Sequence, residues 1–95
     1  MKHCIKAVFN SQEDMENAFK YFSSRAEYVD QYANGKAALI GNRNGVSDAT
    51  VITQQHFHMS VSWYDEYDEI KTKGIDEESI VKTIANNNGQ VTIEY

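Results

Sequence analysis

The segment HFHMSVSWYDEYDE, from His56 to Glu69, constrains the fold more than any other part of this chain. In its first half, apolar residues occupy every second position from Phe57 to Trp63, and histidine or serine fills the positions between them. Because successive side chains of a β-strand point to opposite faces, this alternation predicts a strand with one buried and one exposed face. We expect this strand at residues 56–64, with both aromatic residues on the buried face.

The second half of the segment, which we call the acidic tract, combines aromatic rings with carboxylates. Its members are Tyr64, Asp65, Glu66, Tyr67, Asp68 and Glu69. The tract lacks the alternating oxygen ligands and the glycine of a calcium loop, and catalytic carboxylates need distinct environments that a contiguous run does not provide. Tyrosine and tryptophan are enriched at protein-binding hot spots. We therefore interpret the acidic tract as a partner-binding surface, with an ordinary solvated surface as the alternative.

The length and the charge of the chain restrict its architecture and its partners. Ninety-five residues fit one domain spanning residues 1–95. The net charge of −5 argues against direct nucleic-acid binding, because nucleic acids are bound by clustered lysine and arginine. The same charge suits docking onto a basic surface of another protein.

Cysteine content and hydropathy bear on the location of the protein. Cys4 is the only cysteine, so no disulfide can form within the chain, and inside an apolar strand it is expected to behave as a small buried hydrophobe. No apolar run approaches the roughly 20 residues that a membrane span requires, and the one near the N-terminus is too short for a signal peptide. We expect a cytoplasmic protein that does not bind membranes.

The beginning of the chain predicts a strand followed by a helix. We expect the strand at His3–Phe9 and a helix capped by Asn10 or Ser11, since both residue types accept hydrogen bonds from the first turn. The apolar residues of this helix recur at helical spacing and form its buried stripe: Met15, Ala18, Phe19 and Phe22.

The end of this helix is ambiguous, because two patterns overlap in the residues that follow. Ala26, Val29 and Ala33 continue the apolar stripe, and this favours a long helix that reaches Ala33. On that helix, three tyrosines would share one side suited to a partner, a dimer or the edge of the core: Tyr21, Tyr28 and Tyr32. In the alternative, the helix ends near residues 23–24 and Asn34–Gly35 forms the turn of a β-hairpin, because type I′ turns need positive φ.

The remaining chain predicts strands at Lys36–Gly41 and Gln90–Tyr95, extended structure at Ser47–Gln55, and a helix capped by Asp76. The buried face of this helix consists of Ile80, Val81 and Ile84. Residues 86–89, NNNG, end it, because asparagine and glycine both adopt the left-handed conformation. The order of elements matches a split β-α-β arrangement. We therefore expect an α+β fold, with a small antiparallel sheet and two helices on one face, broadly ferredoxin-like.

Two histidines raise the question of a metal site. His56 and His58 would project from the same exposed face of the predicted strand, where they can share a transition metal. A structural zinc site needs four ligands and a catalytic one usually three, and the sequence does not show which residues complete the set. We assign no metal, no cofactor and no catalytic residue.

Taken together, these features predict a small acidic protein-binding module that is not an enzyme. A sharper version is an inhibitor that occupies the basic nucleic-acid-binding surface of a nuclease or an interference complex, of the anti-restriction or anti-CRISPR type. The first alternative is a regulatory domain for a small ligand or a metal, with homodimerisation as an option. The second is a small enzyme of unknown reaction.

Overall fold

The computed structural model describes residues 2–26, 28–32, 34–40, 50–64 and 76–95. Within them, the chain forms an α+β fold with a six-stranded antiparallel sheet and two helices, as the sequence predicts at this level. The strands are β1 (Lys2–Phe9), β2 (Tyr28–Tyr32), β3 (Gly35–Ile40), β4 (Thr50–Gln55), β5 (His58–Tyr64) and β6 (Gly89–Glu94), and the helices are α1 (Gln12–Ser23) and α2 (Glu77–Asn86). The strand order is β2-β3-β4-β5-β1-β6, so β1 lies between β5 and β6. No helix in these ranges is long and apolar enough to cross a lipid bilayer.

Both helices begin at the residues that the sequence predicts. The Ser11 side chain accepts a hydrogen bond of 3.1 Å from the Asp14 backbone N–H. The Asp76 carboxylate accepts one of 2.7 Å from the Ser79 N–H, and the Ser79 hydroxyl accepts one of 2.8 Å from the Asp76 N–H. These bonds satisfy backbone donors that a helix N-terminus leaves without a partner.

The long helix predicted to Ala33 is wrong, because α1 ends at Ser23 and the chain then forms β2. The Tyr21 carbonyl accepts hydrogen bonds from the Arg25 guanidinium at 2.8 Å and from the Ser24 hydroxyl at 2.9 Å, and these bonds cap the last turn. Val29, which appeared to continue the apolar stripe, is 49% exposed on β2. The backbone of β2 instead gains partners along β3.

The alternative hairpin is confirmed, but its turn lies one residue earlier than predicted. Tyr32 pairs with Gly35, so Gly35 is the first residue of β3 and not a turn residue. Glycine is needed there for a different reason: a Cβ at this position would overlap the backbone carbonyl of Gln54 on β4.

The strand predicted at 56–64 begins later, at His58, because a turn separates β4 from β5. Gln55 pairs with His58, which leaves His56 and Phe57 as the turn residues. His56 has a φ of 54°, in the left-handed region, and Phe57 is 48% exposed instead of buried. The remainder of the alternation is confirmed by three buried residues of β5: Met59, Val61 and Trp63.

One buried cluster joins the sheet to both helices. From α1 it contains all four residues of the predicted stripe, and from α2 it contains Ile80 and Ile84. The sheet contributes the alternate residues of its central strands: Ile5, Ala7 and Phe9 of β1, Ile52 of β4, and Met59, Val61 and Trp63 of β5. The other face of these strands is more polar, with Lys6 opposite Ser60 and Ser60 opposite Thr53.

The end of α2 packs closely against β1. Asn88 takes the left-handed conformation, with a φ of 61°, as the asparagine-rich sequence predicts. Gly89 follows as the first residue of β6. A Cβ added at Gly89 would lie 2.6 Å from Phe9 Cε1 and 2.7 Å from Ile84 Cγ2, so only glycine lets these two side chains approach.

Candidate functional site

The acidic tract begins at the end of strand β5. Tyr64 is the last residue of β5, and its backbone pairs with Lys2. The other five tract residues, Asp65, Glu66, Tyr67, Asp68 and Glu69, lie outside the described residues.

Aromatic rings surround the point at which the tract begins. Trp63 is buried at 9% exposure, as expected of a residue on the apolar face of β5. The ring of His3 stacks on that of Trp63, with centroids 5.3 Å apart and planes inclined by 22°. His3 Nδ1 lies 3.3 Å from the carbonyl oxygen of Tyr95, whose own side chain is 64% exposed. The residue before the tract is therefore packed against the ring of His3.

Two carboxylates meet at the same end of the sheet. Glu77 is the first residue of α2, and Glu94 is the last residue of β6. The hydrogen bond with the Glu77 carboxyl, followed by burial and by the repulsion between the two charges, raises the pKa of Glu94 above its ordinary value. Among the described residues, neither carboxylate forms an ion pair with a lysine or an arginine. The two carboxyl groups therefore lie close together, and Glu94 holds its proton more tightly than an isolated glutamate does.

Sequence reasoning missed the Glu77–Glu94 pair. From the sequence, Glu77 is a first-turn residue that is favourable to the helix dipole, and Glu94 belongs to the predicted last strand. Their proximity depends on how α2 packs against β6, and no pattern among neighbouring residues of the sequence predicts this packing.

The two histidines do not form the predicted arrangement on one strand. His56 belongs to the β4–β5 turn, whereas His58 is the first residue of β5. In the described part of the chain, no three histidine, cysteine or acidic residues come together as metal ligands.

The sole cysteine is buried in β1, with 4% of its surface exposed. Its Sγ lies 3.7 Å from the Ser60 hydroxyl oxygen. Burial fits the expectation of a small hydrophobic side chain.

The three tyrosines predicted to share one side of a long helix are separated. Tyr21 lies on α1, where its ring contacts the Arg25 guanidinium at 3.9 Å and packs edge-on against Phe22. Tyr28 and Tyr32 lie on β2 instead. The predicted tyrosine surface therefore does not exist, although Tyr32 is 60% exposed at the sheet edge.

A shallow polar groove of about 240 Å³ lies on the sheet face opposite the buried cluster. Its polar walls are formed by Lys6, Thr53, Gln55, His58 and Ser60. These groups offer hydrogen bonds and one positive charge, which suits a small polar ligand.

Comparisons with models of known protein families, with curated proteins and with solved structures find no match for this chain.

Proposed function

We propose that this chain is a small non-enzymatic protein-binding module that docks its acidic end onto a basic surface of a partner. The acidic end comprises the acidic tract, Tyr64–Glu69, and the Glu77–Glu94 pair. The observation that carries the proposal is the acidic tract, which places four carboxylates beside two tyrosines within six residues, and the proximity of Glu77 and Glu94 supports it. Uncompensated charge that disfavours the free protein becomes favourable when a basic partner approaches.

Strand register supports the grouping of the pair with the tract. Glu94 pairs with Ile5, and Tyr64 pairs with Lys2, three residues further along β1. At about 3.3 Å per residue, these positions are separated by roughly 10 Å along the strand. Glu94 and the residue at which the tract begins therefore lie toward the same end of the sheet, on the two strands that flank β1.

The sharper form of the proposal is an inhibitor that covers the basic nucleic-acid-binding surface of a nuclease or an interference complex, in the cytoplasm. The net charge of −5 supports it, as does the exposure of Glu77 and Glu94. Such an inhibitor needs no reaction of its own, because occupation of the channel is sufficient.

We also infer that both helices cover one face of the sheet in a split β-α-β, broadly ferredoxin-like arrangement. In support, β1 lies between β5 and β6, the two strands that α2 connects. Phe22 of α1 and Ile84 of α2 also belong to the same buried cluster as Val61 of β5.

The experiment begins with capture of proteins from a lysate of the host cell on the immobilised protein, at low and high salt, with identification by mass spectrometry. The association rate with the purified partner is then measured for the wild type and for a variant with Glu66→Lys and Glu69→Lys. We expect association to slow by about tenfold or more at low salt, and the difference to shrink at high salt.

A matched control distinguishes the effect of charge in the acidic end from the effect of the net charge of the protein. The triple variant Glu13→Lys, Asn17→Lys and Asn86→Lys alters exposed residues of α1 and α2 outside the acidic end, and it changes the net charge by the same amount as the tract variant. The control should slow association much less. An equal effect of both variants, or no effect of the tract variant, would refute docking through the acidic end.

The polar groove supports a second candidate, a regulatory domain for a small ligand. Lys6 and His58 lie on its walls together with hydroxyl and amide groups, so a small molecule with an anionic group and several acceptors would fit. Thermal-shift measurements with a panel of metabolites and divalent metals test this candidate. A shift that disappears in Lys6→Gln would favour it, and one that disappears in the double variant His56→Ala, His58→Ala would favour the metal form.

A further inference from the structure

Strand β2 presents an open sheet edge. It is the outermost strand, and no described segment pairs with its far side. Its residues Val29 to Tyr32 are all exposed. Edge strands are usually protected by lysine, proline or a bulge, but β2 contains only one charged residue, Asp30, and pairs with β3 without a register shift. Among the described residues, the outer edge of the β2 backbone is therefore open to another strand.

A cleft runs beside this edge, between β2 and helix α1. It has a volume of about 290 Å³. Phe19 and Ser23 of α1 form one wall, and Val29 of β2 forms the other. Val29 points to the same side of the sheet as the buried cluster, because it pairs with Ala38, which pairs in turn with Ile52. A large apolar side chain would therefore find apolar surface in this cleft.

Two lysines lie near the next position along the edge of β2. Gln31 is the following residue of β2 on the helix side, and it pairs with Lys36. The cleft is lined by two lysines, Lys20 and Lys36, and by a single carboxylate, that of Glu16. The local charge is thus opposite in sign to that of the whole chain, which is −5.

We propose that β2 binds an extended peptide segment of a partner protein as an additional strand, with a bulky apolar side chain in the cleft beside Val29. Two residues along the peptide, a carboxylate faces Lys36 and Lys20. This spacing follows from strand geometry, since alternate side chains share a face about 6.6 Å apart. Backbone hydrogen bonds supply affinity in this mode, and the two side-chain positions supply specificity.

A second copy of the chain fits this edge less well. The antiparallel register that pairs all five residues of β2 with a copy places Asp30 directly opposite its twin, and like charges in that position are destabilising. The shifted register with Val29 opposite its twin brings only a small side chain to the cleft. A bulky side chain of a partner fills the space better.

The test uses a library of random nine-residue peptides displayed on phage and selected on the purified protein. We expect enrichment of peptides with an aromatic or large aliphatic residue and an aspartate or glutamate two positions away. Synthetic peptides of the enriched sequence should shift the NMR amide signals of β2 and α1. Methylation of the peptide backbone nitrogens, one at a time, should weaken binding about tenfold at alternate positions only, because alternate N–H groups face β2.

Variants of the cleft test its two positions. Ser23→Phe would fill the cleft and should weaken binding by about tenfold or more. Lys36→Glu should weaken the binding of acidic peptides by about two- to fivefold, as expected for an exposed ion pair. Peptides selected on this variant should carry a lysine in place of the aspartate or glutamate. Lys82→Glu is the matched control, since Lys82 is an exposed lysine of α2 outside the cleft, and it should leave binding unchanged.

Several results would overturn the proposal. They are the absence of an enriched sequence, NMR shifts confined to other strands, and binding that is insensitive to backbone methylation. Concentration-dependent self-association that moves the β2 signals would assign the edge to a second copy instead. The inference is independent of the acidic end, because the Glu66→Lys, Glu69→Lys variant should bind the selected peptides as the wild type does.

Discussion

Substitution of Gly89 by alanine tests the close packing between α2 and β1. The φ of Gly89 lies outside the left-handed region, so alanine can adopt this backbone. At an unobstructed site, such a change stabilises a protein by about 0.4–1 kcal/mol, because it restricts the unfolded chain. Here the new Cβ would lie 2.6 Å from Phe9 Cε1 and 2.9 Å from the Ile84 carbonyl oxygen. Steric overlap therefore opposes the entropic gain.

The magnitude follows from how far the neighbours can move. Carbon atoms make their best contacts at about 3.5–4.0 Å, so Phe9 and Ile84 must withdraw by close to 1 Å. Ile84 is 1% exposed and Phe9 is 4% exposed, so both are enclosed by other core residues. Overpacking of this kind costs about 1–3 kcal/mol, and we expect Gly89→Ala to fall at about 2–3 kcal/mol of lost stability.

Urea unfolding followed by the fluorescence of Trp63, the single tryptophan, measures this loss. The midpoint should fall while the dependence on urea stays unchanged, since the surface exposed on unfolding is the same. Asn88 supplies the control: Asn88→Gly should be nearly neutral, whereas Asn88→Ala should lose about 1–2 kcal/mol because its φ is positive. A Gly89→Ala protein as stable as the wild type would refute the steric argument.

Three further predictions concern charge, packing and capping. Because Glu77 raises the pKa of Glu94, the folded state binds this proton more tightly than the unfolded chain does, and stability falls as the pH rises above the ordinary carboxyl range. Glu94→Gln should therefore raise the melting temperature at about pH 7 but not at about pH 3, as measured by calorimetry. Phe22→Ala should cost about 3–5 kcal/mol in urea unfolding because Phe22 is fully buried, whereas Phe57→Ser, in the exposed turn, should change stability by less than about 0.5 kcal/mol. Asp76→Ala removes a helix cap and should cost about 0.5–2 kcal/mol, measured in the same way.

Sequence reasoning succeeded where the determinants are local. The apolar stripe from Met15 to Phe22 fixes the buried face of α1, because helical periodicity depends only on neighbouring residues. The caps at Ser11 and Asp76 are equally local, since each side chain bonds to a backbone group three residues away. Met59 to Trp63 likewise show the strand period of β5 directly.

It failed where pairing with a distant segment decides the conformation. Val29 fits a helical stripe and a strand equally well, and only its pairing with Ala38 selects the strand. His56 continues the alternation of the strand into the turn, and it adopts a left-handed φ without the glycine or asparagine that usually announces one. Periodicity alone does not distinguish a strand residue from the turn that precedes it.

The site could be predicted only in part for the same reason. The acidic tract is visible as a run of residues, and its interpretation as a binding surface stays a prediction. The Glu77–Glu94 pair, and the cleft between Phe19 and Val29, arise from contacts between separate elements. Recognition of either needs the order of the strands, which the sequence does not reveal.

The central position of β1 has a consequence for the order in which the protein folds. β1 precedes every other described element, yet its partners β5 and β6 begin only at His58 and Gly89. The meander β2-β3-β4-β5 has only short-range pairings and can assemble early, whereas β1 must wait for late segments. Such distant pairings slow folding because loop closure precedes the stabilising contacts. The apolar residues Ile5 and Phe9 of β1 therefore gain their neighbours on both sides only after β5 and β6 have joined the sheet.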